Sequence, residues 1–173
     1  MSKEYVLKTF PELGKMKDQK LKEKVVAAFA EAMKRGRWTE LDKIPFTLLI
    51  PNLKKNYIDH TRKVTQMAMA VAEQRDDLDM DLVIAGGLLH DVGKLLEYEE
   101  KDGKVVTSSN GKLLRHPVSG AALVLEMGLP EKLGHIVAGH SKEGDLVKRI
   151  SEAILIFHCD FIDFEIEKFK HGM

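Results

Sequence analysis

Apolar residues recur every three or four positions through most of this chain and nowhere alternate persistently in twos, so the pattern predicts helices rather than a sheet. In residues 18–35 (DQKLKEKVVAAFAEAMKR), Leu21, Val25, Ala28, Phe29, Ala32 and Met33 share one stripe, and Gly36 is predicted to end that helix. Residues 37–55 hold Pro45 and Pro51 around the apolar run FTLLI and read as a packed connector with room for a short helix. A second helix is predicted from near Asn56 to about Gln74, with Val64, Met67, Ala68 and Val71 inward. The third runs from about Asp79 to Tyr98, its start marked by Asp79 and Asp81. Residues 99–112 carry Asp102-Gly103 and Asn110-Gly111 and read as an exposed loop with room for a small hairpin. A fourth helix follows Pro117, with Ala121, Leu123, Val124 and Met127 available for packing. Pro130 suits the first turn of a fifth, ending near His140, and a final long helix spans roughly Asp145 to Lys170. No internal repeat or low-complexity tract interrupts the series.

Length and composition narrow this all-α picture. A chain of 173 residues, 44% hydrophobic and 31% charged, suits one soluble domain with a substantial core. Lys+Arg and Asp+Glu both number 27, which gives no general support to a nucleic-acid or membrane-surface binder, although a local patch can hide in a neutral total. The single cysteine, Cys159, excludes an intramolecular disulfide and any zinc site built on cysteines, and points to a reducing, cytoplasmic setting. The opening MSKEYVLKTFPELGKMKDQK has no apolar run long enough for a signal peptide, and no segment reaches transmembrane length.

The chemistry gathers around His90-Asp91. The pair closes the apolar run LVIAGGLL, where an imidazole and a carboxylate are costly unless something satisfies them. Neighbours on a helix leave it about 100° apart, so both reach one ion only near the helix rim. Gly86, Gly87 and Gly93 remove bulk and would admit neighbouring helices. Asp160 has Ile156, Phe157, Asp163 and Phe164 three and four positions away, which turns it inward; a bound cation would remove the cost of burying it. Asp163 is the alternative ligand or an outer partner.

His60 shares a helical stripe with Val64, Met67 and Val71. His116 precedes a proline, and His140 closes a short helix before SKEGD. His135 and His140 stand about 140° apart on a helix, so only one reaches a common cluster, and His140 is taken as that one. Each histidine alone has a bland reading: a hydrogen-bonded core residue for His60, a helix-entry residue for His116. His135, His158 and His171 read as non-functional. Together, four imidazoles and two carboxylates on successive elements point to a two-metal site. Asp59, beside His60, either orients a ligand or is an exposed helix-start residue.

These residues resemble the HD-domain superfamily of metal-dependent phosphohydrolases, whose core pattern is His, His-Asp, Asp: here His60, His90-Asp91 and Asp160. GGLLHDVGK is similar to the family's central motif in the variant with Gly and Lys following. His116 in RHPVSG and His140 in AGHS match the two extra histidines of binuclear members. SEAILIFHCD resembles the ribonuclease Y and HD-GYP phosphodiesterase groups, which favours Asp160 over Asp163 as the last ligand. The resemblance covers about residues 56–165, implies an all-α, HD-domain-like helical bundle there, and does not explain residues 1–50. With the additional N-terminal helix that the apolar stripe predicts, residues 1–55 are expected to form a helical extension packed on the core, and 56–173 the HD domain, together one compact unit. The GYP signature and its paired histidine are missing, since Gly139 precedes His140, so a cyclic-dinucleotide substrate is not expected. No counterpart of the RNA-binding region or membrane anchor of ribonuclease Y is expected in residues 1–173.

By analogy, His60, His90, Asp91 and Asp160 hold a first metal, and Asp91 bridges to a second completed by His116 and His140. The pair would acidify water for attack on phosphorus. Iron, manganese, cobalt, nickel or zinc suit such ligands better than magnesium. Asp91 and Lys94 are the expected catalytic residues. Lys94, four residues after His90, with Arg115 and Lys142 beside proposed ligands, would hold a phosphoryl group, although Arg115 and Lys142 also read as solvated surface charges. The expected partner is a phosphorylated small molecule or nucleotide, with no membrane and no dedicated nucleic-acid role. Two alternatives remain: a mixed-valent di-iron oxygenase resembling the myo-inositol oxygenases, and a non-catalytic metal-binding signalling module. The N-terminal helix and FTLLI either cap the bundle or form a homodimer interface; loop 99–112 is a lid or a connector.

Overall fold

The computed structural model describes residues 3–173. After α1 (Lys3–Thr9) and a 3-10 turn at Pro11–Lys15 comes α2 (Gln19–Gly36), whose start is capped by Asp18 accepting from the Leu21 N–H. Its apolar stripe is buried as the spacing predicts. The left-handed residue that ends it is Arg37 (φ 60°), not Gly36; Gly36 stays inside the helix because a Cβ there would meet the Leu95 carbonyl oxygen at 1.9 Å. The connector that follows forms no α-helix. It closes on itself through a bridge between Pro45 and Asn56, and the Tyr57 N–H donates to the Ile44 carbonyl.

Next come α3 (Tyr57–Ala72), capped by Asn56, and α4 (Met80–Leu89), capped by Asp79. Residues Leu82 to Leu89 of α4 are all buried. A helix apolar all round has to be enclosed, and α2, α3, α8 (Glu131–Gly139) and α9 (Ser151–Lys170) pack around it. Fully buried side chains such as Ile84, Leu88 and Leu89 are each worth about 1.5–3 kcal/mol of transfer free energy. On α3, Val64 and Ala68 are buried and Met67 half-buried, but Val71 is exposed. The inward stripe is rotated toward Thr61 and Thr65, whose polarity hides it in the sequence; the Thr65 hydroxyl donates to the Thr61 carbonyl and so costs little inside.

The expected third helix does not run through to Tyr98. It stops at Leu89, turns through residues 90–93, and restarts as the short α5 (Lys94–Glu97). In the turn the bonds reach back three residues, the Val92 N–H to the Leu89 carbonyl and the Lys94 N–H to the Asp91 carbonyl. A Cβ on Gly93 would meet the His116 carbonyl oxygen at 2.0 Å and the Gly120 nitrogen at 2.7 Å, so the turn lies directly against α7 (His116–Glu126). Strands β1 (Tyr98–Lys101) and β2 (Lys104–Thr107) form a hairpin turning at Asp102-Gly103, both with positive φ as a type I′ turn requires. Asn110-Gly111 is not a turn: it lies in α6 (Ser109–Leu113), capped by Ser108. The last helix starts at Ser151 rather than Asp145, because Arg149 bonds the carbonyls of Gly139 and Ser141 and holds Lys142–Leu146 as a 3-10 turn.

The N-terminal part packs on the bundle with specific bonds. Phe10 stacks on Phe29 at 4.7 Å, and Arg62 and Gln66 of α3 both donate to Glu12. The Asp81 carboxylate accepts from the N–H groups of Lys17 and Asp18. The Trp38 indole donates to the Leu95 carbonyl at 2.9 Å. The result is all-α apart from the hairpin. Among the described residues no helix is long and apolar enough to cross a membrane.

Candidate metal centre

Five of the six expected ligands are buried, and the sixth, Asp160, has a side chain 15% exposed where it meets a cavity. His60 comes from the first turn of α3, His90 from the end of α4, Asp91 from the turn after it, His116 from the start of α7, His140 from the end of α8 and Asp160 from the middle of α9. The break after Leu89 lets the adjacent His90 and Asp91 face the same point.

One carboxylate organises the rest. Asp91 Oδ2 lies 3.4 Å from both His60 Nε2 and His90 Nε2. Its other oxygen, Oδ1, lies 3.2 Å from His116 Nε2 and 3.5 Å from His140 Nε2. His60 Nε2 is also 3.2 Å from His90 Nε2 and 3.1 Å from Asp160 Oδ1. Two donor groups result, His60–His90–Asp91 and Asp91–His116–His140, each gathered tightly enough to hold a metal ion. Ligands about 2.1 Å from an ion and at right angles stand about 3 Å apart, which these spacings match.

The outward nitrogens fix which atom faces inward. His90 Nδ1–H donates to the Gly87 carbonyl at 2.7 Å, and His140 Nδ1–H to the Val137 carbonyl at 2.7 Å. His116 Nδ1–H donates to Glu97 Oε2 and His60 Nδ1–H to Asp163 Oδ2, both at 2.7 Å. Each Nε2 is therefore turned toward Asp91, as metal-binding histidines are held by their second nitrogen. His140 Nε2 is buried and, beyond its 3.5 Å approach to Asp91, has no hydrogen-bond partner among the described residues. A buried acceptor left unsatisfied is costly, and a cation would satisfy it. The donor set fits divalent metal.

The electrostatics agree. Burial works against ionised Asp91, but the Lys94 ammonium and the His90, His140 and His60 imidazoles hold its carboxyl well below the usual range. Burial disfavours a charged His60, yet hydrogen bonds to Asp160, Asp163 and Asp91 lift it to about 9. Asp160 is opposed by burial and held low by His60 and His90. His116 is pushed down, chiefly by burial. The centre thus gathers ionised carboxylate around inward-facing imidazole nitrogens, a field that favours a cation.

Several supports carry no sequence signal. Phe46, in the irregular connector, stacks on the His60 ring at 3.8 Å, and its carbonyl accepts from Lys94 Nζ. Lys55 pairs with Asp163. Glu97, which no sequence pattern singles out, accepts from both the backbone and the ring of His116. Asp163 is thus the outer partner of His60, while Asp160 faces Nε2. Asp59 is exposed and bonds only through its backbone to Asn56, away from the centre. His135 accepts from the Ile150 N–H and secures the start of α9.

A cavity of about 770 Å³ opens over the centre; Asp91, Lys94, Arg115, His116, Lys142 and Asp160 all line it. Lys94 is buried, with Nζ bonded to Asp91 Oδ2 and to the Phe46 carbonyl. Arg115 is half-exposed and faces Glu97 at 3.3 Å and Glu143 at 3.8 Å. Lys142 is exposed at the cavity edge.

Comparison with known proteins agrees with this arrangement. The family described as HD domain matches residues 57–164. An uncharacterized protein of Methanocaldococcus jannaschii is 31% identical over 105 residues, covering 55% of this chain and 54% of that one. Ribonuclease Y of Pseudothermotoga lettingae is 29% identical over 106 residues, 61% of this chain and 18% of its own. A dihydroneopterin 2',3'-cyclic phosphate phosphodiesterase of M. jannaschii is 28% identical over 115 residues, 63% of this chain and 46% of its own. The chain thus spans about half or less of the length of these relatives. No solved structure matches it. The match over residues 57–164, with the His-Asp geometry inside it, establishes that the chain belongs to the HD-domain family.

Proposed function

We propose that the protein is a metal-dependent phosphohydrolase that cleaves a phosphomonoester or phosphodiester of a nucleotide or small metabolite. The observation that carries this reading is the divided use of Asp91: Oδ2 toward His60 and His90, Oδ1 toward His116 and His140. In this reading His60, His90, Asp91 and Asp160 hold one divalent ion, and Asp91, His116 and His140 hold the second. Bound there, two divalent ions supply positive charge for phosphoryl oxygens and make water acidic enough to attack phosphorus near neutral pH. Imidazole-rich ligation suits iron, manganese, cobalt, nickel or zinc better than magnesium. Two HD-domain relatives, a ribonuclease and a cyclic phosphate phosphodiesterase by name, act on phosphate esters.

The chain's own side chains have distinct tasks in this reaction. Lys94 fixes Asp91 Oδ2 and brings a buried ammonium to the cavity floor, where it meets a phosphoryl oxygen. Glu97 and Asp163 fix the rings of His116 and His60. Arg115 and Lys142 add positive charge on the His116–His140 side of the cavity.

Metal analysis of the purified protein, with a screen of phosphate esters under anaerobic conditions, tests the proposal. We expect two transition-metal ions per chain and phosphate or alcohol release without oxygen. Oxygen uptake by iron-loaded protein, with no ester cleaved, would replace hydrolysis by a di-iron oxygenase.

A further inference from the structure

We propose that the cavity holds a second subsite, an aromatic wall of Phe161 and Phe164 continued by Leu48 and Leu49, which takes the flat aromatic ring of a ring-bearing phosphoester. The inference rests on the phosphohydrolase reading and names the kind of substrate that site selects.

The four side chains line the same cavity as Asp91, His116 and Asp160. Leu49 is 63% exposed and Leu48 40% exposed, and both phenylalanines are half-buried. Apolar surface gathered in a concave site beside polar catalytic groups marks the part of a pocket that holds the organic portion of a ligand. The two rings are not loose. Phe164 meets the edge of Phe46 at 6.0 Å, and Phe46 itself stacks on His60. Phe161 lies 4.5 Å from Phe157 and 6.4 Å from Phe164. Ring-to-ring contacts thus tie the wall to the metal centre and fix it before any ligand arrives, which lowers the ordering cost of binding.

Placement along α9 sets the distance. Phe161 follows Asp160 directly, and Phe164 lies one turn on, about 6 Å along the axis. A phosphoryl group beside Asp160 is therefore a sugar-sized spacer away from a ring lying on the wall. Arg115, adjacent to His116, and Lys142, two residues after His140, line the cavity and suit free phosphoryl oxygens, while Phe161 and Phe164 stand on the helix that carries Asp160; Lys168 lines the cavity as well, with Nζ 5.8 Å from the Phe164 ring. A volume of about 770 Å³ lies within the range of pockets for ligands of this size and exceeds the need of a bare phosphate.

The test compares two sets of phosphate monoesters on metal-loaded protein, by calorimetric binding and by turnover. One set carries an aromatic ring on a spacer of about that length: adenosine and uridine 5'-monophosphates and 4-phenylbutyl phosphate. The other has none: ribose 5-phosphate, glycerol phosphate and hexyl phosphate. The ring-bearing set is expected to bind at least tenfold more tightly than the other. Phe161→Ala is expected to weaken ring binding roughly 5- to 100-fold, the range that base–aromatic stacking spans, and to leave ribose 5-phosphate unchanged. Phe161→Leu, which keeps the bulk, should behave like Phe161→Ala, whereas Phe161→Tyr should retain the preference. Equal binding of both sets, a preference for hexyl phosphate, or equal losses for both sets in Phe161→Ala would overturn the aromatic wall. Ring-selective binding with no ester cleaved would keep the wall and remove the hydrolase.

Discussion

The two halves of the candidate centre share Asp91 and are built in different ways. The His116–His140 half is supported locally. His140 is held by the Val137 carbonyl of its own helix, and His116 by Glu97, 19 positions earlier. The His60–Asp160 half is assembled from afar. Asp163 of α9 holds His60 across 103 positions, Lys55 of the connector holds Asp163 across 108, and Phe46 stacks on the ring. Phe46 and Lys55 precede the stretch matched by the HD-domain family, which begins at residue 57. One half is thus complete within the family's own helices, while the other depends on a segment outside them. The 45–56 connector is part of the site.

The largest expected effect strikes the shared residue. Asp91→Ala takes one oxygen from each half and leaves Lys94 buried without its carboxylate. Turnover should fall below detection, and metal analysis should show at least one of two ions lost. Unchanged activity with full metal content in this variant would remove Asp91 from both halves and dissolve the comparison.

A smaller pair of substitutions separates the halves. Lys55→Met leaves the Asp163 carboxylate without its cation and lets the His60 ring wander; Glu97→Gln weakens only the anchor of His116. Groups that orient metal ligands typically contribute 10- to 100-fold in affinity. Each variant is expected to lose about that much for one ion and to keep the other, as read by competition titration with a chelator. Lys55→Arg should recover most of the loss. Equal weakening of both ions by either substitution would mean that the centre is one rigid unit.

The same division explains what was legible in the sequence. All six candidate ligands stood out because a charged or imidazole side chain beside a regular apolar stripe conflicts with burial, as at Asp160 among Ile156, Phe157 and Phe164. The helices were legible from their apolar stripes, α2 above all. The connector has no period, so neither the stacking of Phe46 nor the reach of Lys55 left a trace. Glu97 lay at the end of the predicted third helix with no apolar stripe around it to mark it as buried. The break after Leu89 was masked because the apolar run continues through Val92, Leu95 and Leu96; only packing against α7 reveals why Gly93 must lie in a turn. Asp160 and Asp163 both faced inward by spacing, and geometry assigned one to Nε2 of His60 and the other to Nδ1.

The smallest expected effect concerns the charge of Lys142, which lines the cavity two residues after His140 of the local half. Lys142 is exposed, and its ammonium interacts with an incoming anion across water, where a single charge is worth at most about 1 kcal/mol. Lys142→Ala should therefore raise KM for a phosphate ester about two- to fivefold at low ionic strength, leave kcat unchanged, and lose its effect as salt is raised to about 0.5 M. Arg115 is not an equivalent probe, because it also faces Glu97, and its removal disturbs the residue that orients His116. A fall in kcat at constant KM, or an effect insensitive to salt, would place the Lys142 ammonium at the reacting phosphoryl group rather than at the rim. The local half would then carry a cation at the reacting group, the role proposed on the other half for the buried Lys94 beside Oδ2 of Asp91.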